Sequence, residues 1–204
     1  MLNILIAVIM TTEKNKTIKA MSKLLYTILT IGMLCTLQGR ADHHIKKSTV
    51  KDFEEFSKIL EGRWLVDIVF ITDWPGLDRK KGDKIIGYTE FERILDGTAL
   101  EWTHYAAEGK FRAVFTWDSI NSTIRSFLFG ANGMLWQKTW WKEKEGVYGW
   151  ETQASYQRDG RQLTGSGKMI FEKDLKSMKW SSKNMKMGTQ KLDELRDVFK
   201  KVTP

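Results

Sequence analysis

From residue 63 to the C-terminus the sequence alternates apolar and polar residues with a period of two, and turn-forming pairs interrupt the pattern about every ten residues. Asp96-Gly97, Asn132-Gly133 and Asp159-Gly160 are pairs that tolerate the positive φ of a tight hairpin. The pattern predicts ten strands, at 63–72, 85–95, 99–107, 111–118, 123–129, 134–141, 147–157, 162–172, 178–183 and 192–202. The last is ambiguous, since Leu192, Leu195 and Phe199 also suit a short helix. Short links make neighbours antiparallel, and neither of the two prolines falls inside a strand. A meander of this length left open would expose edges. The expected fold is therefore all-β, an antiparallel meander closed into a barrel, with a sandwich as the alternative.

Before the alternation, residues 50–60 place Val50, Phe53, Phe56, Ile59 and Leu60 on one helical face, and Gly62 stops the helix. That single short helix is expected to cap the barrel. Residues 42–49, with His43, His44 and two lysines, read as a solvated lead-in, and 50–204 as one domain.

The first 41 residues carry a different signal. Lys19 and Lys23 flank Met21, residues 24–37 are apolar, and Gly39-Arg40-Ala41 puts small residues where a signal peptidase reads. The expectation is translation from Met21, cleavage after Ala41, and export to the periplasm or the medium. A membrane anchor is the other reading, but the apolar run is shorter than the roughly 20 residues a span needs, and Thr27, Thr30 and Thr36 dilute it. Cleavage would remove Cys35, the one cysteine, so the mature chain would hold no disulfide. Lipidation of Cys35 is disfavoured by the bulky Leu34 before it. Lys14, Lys16, Lys19, Lys23 and Arg40 would leave with Glu13, halving the net charge of +8. The remaining charges are interspersed, which gives no nucleic-acid surface.

Several segments resemble the lipocalin-like, or calycin-type, barrels, and in particular an uncharacterised bacterial family of exported domains of unknown function. They are Leu60-Glu61-Gly62-Arg63-Trp64, Ile94-Leu95-Asp96-Gly97, Trp117-Asp118 with Asn121, and Asp159-Gly160 followed by Leu163-Thr164-Gly165. The resemblance covers residues 53–202. It implies a barrel with a cavity, in which Trp64 packs at the closed end. It names no substrate, and the disulfides of secreted lipocalins are missing.

Nine tryptophans, all after residue 41, are the most unusual compositional feature. On strands they serve core packing first; the functional reading is an aromatic-lined pocket for a small apolar or ring-bearing ligand such as a lipid, pigment or sugar. Alternation places Leu100, Trp102, His104 and Ala106 on one face and Phe111, Ala113, Phe115 and Trp117 on one face of the next strand, both taken as inward. Trp136 with Trp140, and Tyr148 with Trp150, are expected to complete the wall. Trp74, in the loop at 73–84 with its Pro75-Gly76 turn, is a candidate lid. The expected ligand-binding residues are thus Trp74, Trp102, His104, Phe115, Trp117, Trp136 and Trp150.

His104 has the ordinary reading of a hydrogen-bonded core histidine; no second ligand at a metal spacing accompanies it, and no cofactor is identified. Gly165-Ser166-Gly167-Lys168 fails as a phosphate loop, because Gln162 and Met169 stand where glycine and a hydroxyl residue are required. No Gly-x-Ser-x-Gly elbow and no post-signal cysteine supply a nucleophile. Glu101, Glu151 and Asp118 act as a carboxylate pair only if folding joins them. The lysine-rich 176–186 segment reads as an edge or rim strand or, alternatively, as a docking surface for an acidic partner or membrane. Three functions stay open: a binding protein, an enzyme using His104 in the same cavity, and a filled structural barrel.

Overall fold

The structure, a computed structural model, describes residues 46–202 except 75–76, 107–108 and 132. The export signal read in residues 1–41, and His43 and His44, lie outside the described residues.

Helix α1 (Val50–Leu60) begins where Thr49 and Asp52 cap each other: the Asp52 N–H donates to Thr49 Oγ1 (3.2 Å), and the Thr49 N–H to Asp52 Oδ2 (2.8 Å). Its apolar face buries Phe53, Phe56 and Leu60. Ion pairs from Lys142 to Glu55 (2.5 Å) and Asp52 (3.6 Å) tether its polar flank to the barrel. The described part of the lead-in is also tied down, since Ser48 is buried and bonded on both sides, to Ser122 O and the Lys142 N–H.

Eleven strands follow: β1 (Gly62–Val69), β2 (Lys84–Ile94), β3 (Ala99–Ala106), β4 (Gly109–Asp118), β5 (Thr123–Gly130), β6 (Leu135–Lys144), β7 (Val147–Thr152), β8 (Leu163–Phe171), β9 (Ser177–Met187), β10 (Gln190–Lys191) and β11 (Arg196–Lys201). Each of β1 to β9 pairs antiparallel with the next where sequence order allows, β11 joins β9 to β1, and β8 pairs with β9. The ring therefore closes with ten strands, and the two-residue β10 hangs on β9. The expected meander and closure are both present. So is the Asp96-Gly97 hairpin between β2 and β3: Leu95, Asp96 and Gly97 all take positive φ, at 52°, 55° and 83°. Of the segment at 192–202, residues 196–201 form strand β11 and none is helical.

The lysine-rich segment differs from the edge strand expected of it. As β9 it is paired on both sides and completes the ring, with Met178, Trp180, Met185 and Met187 buried and its lysines outside. The lysines that look like edge protection in the sequence are instead the outer face of a closing strand. The Gly165–Lys168 run is likewise strand β8. A Cβ on Gly167 would lie 1.9 Å from Ser181 O and 2.8 Å from the Trp150 ring, so glycine there lets the closing strands approach over an indole. Gly167→Ala is expected to lower stability by about 3 kcal/mol through overpacking and strand displacement, read from chemical unfolding.

The core is an aromatic column along the barrel axis. Phe56 of α1 meets Phe115, Trp140 and Tyr148 at centroid distances of 5.6, 5.9 and 4.7 Å, and Trp180 meets Trp140 and Trp102 at 5.5 Å each. Trp64 is fully buried, and its indole N–H donates to Leu60 O at the end of α1 (2.7 Å). The helix thus plugs one end of the ring, with Trp64 at that end.

Candidate functional site

Away from α1, the inward residues of the strands do not meet across the axis, and a cavity of about 120 Å³ remains. Val66, Ile68, Phe111, Leu128, Met134, Leu163 and Met185 make most of its wall apolar. The connection from β1 to β2 covers it with Phe70, Ile71, Trp74 and Leu77. That connection is held by its own bonds, among them Phe70 N–H to Asp83 O (2.9 Å) and Lys81 N–H to Asp73 Oδ1 (2.8 Å).

Of the residues expected to bind a ligand, Trp74, Trp102, His104, Trp136 and Trp150 line this cavity. Trp74 and Trp136 meet at 5.8 Å between ring centroids, so loop and wall are in contact. Phe115 lies beneath, in the packed aromatic layer between cavity and helix. Trp117 does not line the cavity: on the inward face of β4, two residues beyond Phe115, it is half-buried near the helix end.

His104 stacks on Phe111 (5.3 Å between centroids, 7° between planes) and is buried, and its Nδ1 has no hydrogen-bond partner among the described residues. Burial lowers its pKa from 6.5 to about 4, so the imidazole is neutral at physiological pH. The neighbouring Trp102 is satisfied, its indole N–H donating to Thr89 Oγ1.

Two charged residues that the sequence reading did not single out stand in the same cavity. Lys138 of β6 is only 5% exposed. Its Nζ lies 4.3 Å from the ring centroid of Trp180, 4.5 Å from Trp150, 5.0 Å from Trp136 and 5.8 Å from Trp140. Among the described residues no hydrogen-bond acceptor or ion-pair partner reaches it, and Asp197 acts on it through charge alone. Desolvation brings its pKa from 10.5 down to about 7, against the pull of Asp197. Asp197 of β11 accepts the Val69 N–H, while its Oδ1 is buried without a partner, and burial pushes its carboxyl up to about 7. The Nε1 atoms of Trp136, Trp150 and Trp180 are also buried and unpartnered.

Buried polar atoms in folded proteins are almost always hydrogen-bonded, so this concentration around one void is unusual. The arrangement is an apolar chamber with a caged amine, a carboxyl group and a neutral imidazole on its wall. It can bury a small apolar body and meet a polar group on it.

The other candidate acids are not brought together. Glu101 pairs with Arg112 and Glu151 with Lys46 on the outer surface, and Asp118 caps the 118–121 turn through the Ile120 and Asn121 N–H groups (3.1 Å each). Among the described residues no three His, Cys, Asp or Glu side chains are placed to hold a metal, and no helix is long and apolar enough to cross a membrane.

No protein-family model matches the chain, and no curated protein matches it significantly.

Proposed function

We propose that this chain is an exported, lipocalin-like binding protein that holds a small apolar or aromatic ligand in its barrel cavity. The observation that carries the reading is the apolar chamber of about 120 Å³ with His104 Nδ1 and Asp197 Oδ1 on its wall, both without a hydrogen-bond partner among the described residues. A dry void of about 150 Å³ takes up benzene, so a chamber slightly smaller calls for a single ring or short chain rather than a porphyrin or a long acyl chain. Burial against the tryptophans supplies affinity, and the polar atoms orient the ligand. Export rests on the signal-like residues 21–41.

Titration with benzyl alcohol is expected to quench or shift tryptophan fluorescence saturably, because Trp102, Trp136 and Trp150 line the chamber. Haem and palmitate are expected to leave the spectrum unchanged. Silence from every single-ring and short-chain probe would remove the binding reading and leave the filled structural barrel. A second reading, acid–base catalysis on the bound molecule, is favoured by His104 and Asp197 sharing one chamber.

A further inference from the structure

Lys138 is the most demanding residue of this barrel. A lysine inside a core normally pairs with a carboxylate or snorkels to water, because an isolated buried ammonium is expensive. Here the amine does neither: it sits among four indole rings at 4.3 to 5.8 Å, facing the same chamber as Asp197. Indole faces stabilise a cationic nitrogen without supplying a lone pair that would occupy it. The nitrogen is therefore held in place, and once deprotonated its lone pair meets no hydrogen-bond donor among the described residues.

We infer that the Lys138 amine captures a small apolar aldehyde in the cavity as an imine, with Asp197 as counter-ion of the protonated adduct. This rests on the ligand-binding reading and names the class of ligand. The amine lone pair attacks the carbonyl carbon, a C–N bond forms, and a proton moves from nitrogen to oxygen to give the carbinolamine. The Asp197 carboxyl then protonates the hydroxyl, the C–O bond breaks, and water leaves. A protonated imine remains opposite an Asp197 carboxylate, so no oxidant or reductant is consumed.

The parts fit this chemistry together. The neutral amine is accessible because desolvation brings Lys138 to about 7, and the Asp197 carboxyl retains a proton to give because burial raises it to about 7. The tryptophan cage that surrounds the ammonium surrounds the iminium equally well, and an apolar chamber slows hydrolysis. An anionic ligand is the weaker fit, since Asp197 stands in the same chamber and opposes a second negative charge.

The test is reductive trapping. The protein is incubated at neutral pH with benzaldehyde and sodium cyanoborohydride, then mapped by peptide mass spectrometry, with benzyl alcohol and benzoate binding followed in parallel by fluorescence. A single benzyl addition at Lys138 is expected, at least about tenfold above any surface lysine, because ordinary lysines with pKa about 10.4 are almost wholly protonated there. Lys138→Met should abolish it while keeping the wild-type circular dichroism, and Asp197→Asn should slow it. Addition spread over surface lysines, or none, with benzyl alcohol still binding, overturns the imine and leaves the binding reading standing. Benzoate binding tighter than benzyl alcohol without trapping overturns it in favour of an anion site. If no probe binds, both readings fall.

Discussion

Replacing Trp140 by alanine is expected to cost about 4 kcal/mol of folding stability, a loss in the range of the largest core truncations. Trp140 is fully buried, its ring meets Phe56, Phe115, Trp150 and Trp180 at 5.5 to 6.1 Å, and its indole N–H donates to Ser126 Oγ (2.8 Å). Truncation would separate the helix plug from the aromatic layer beneath the cavity and strand the Ser126 hydroxyl. For a domain of this size the melting temperature should fall by about 10 °C. Trp136→Ala, at the half-buried cavity wall, should cost about half as much. If the two variants unfold together, the division between a packed column and an open chamber is wrong.

The second large effect has the opposite sign. Removing both buried charges, as Lys138→Met with Asp197→Asn, is expected to stabilise the barrel by about 2 kcal/mol at pH 7, because desolvation of unpaired buried charges exceeds their mutual attraction. The asparagine oxygen still accepts the Val69 N–H that Asp197 now takes. Asp197, raised from 3.8 to about 7, binds a proton in the folded state that the unfolded chain has lost, so its contribution to stability falls as pH rises through that window. Lys138, lowered from 10.5 to about 7, gives up its proton on folding, so its contribution rises with pH across the alkaline window. Both penalties coincide near pH 7, where the gap between double variant and wild type should be widest, narrowing on either side. His104, lowered from 6.5 to about 4, adds stability as pH rises between those values, but it is common to both proteins and cancels in the difference. Thermal melts from pH 4 to pH 10 check the shape. A gap that is negative, or constant with pH, would mean that the buried charges are stably paired. Lys138→Met alone should be less stable than the double variant above pH 7, since Asp197 then ionises without a cation nearby.

These residues also show where the sequence was readable. Trp136 and Trp140 are assigned inward by alternation, and Lys138 lies between them at the same parity, so the rule that places the tryptophans also places the lysine. Its charge hides this, because lysines on strands nearly always face water. Asp197 is obscured differently. Leu192, Leu195 and Phe199 fit a helical spacing, and only once β11 is a strand does Asp197 share the inward face of Phe199, with Leu195 just before the strand lining the same cavity. Local features were legible: the helix, the hairpin pairs and the parity of β3 and β4 follow from turn chemistry and period alone. Closure through β9 was not, since pairing between β9 and β11 and between β8 and β9 is a tertiary choice that lysine spacing misrepresents. The separation of Phe115 and Trp117 from the cavity was equally hidden, because parity gives the face of a strand but not the depth along the barrel axis.

The most direct test of the binding chamber is to fill it. Ala106, at the end of β3, lines the cavity, and a tryptophan there would occupy the space the ligand needs. Calorimetric titration of benzyl alcohol into wild type and Ala106→Trp, both first shown to melt cooperatively, should give saturable one-site binding to the former and none to the latter. Equal binding to both would place the ligand elsewhere and contradict the cavity as the functional site.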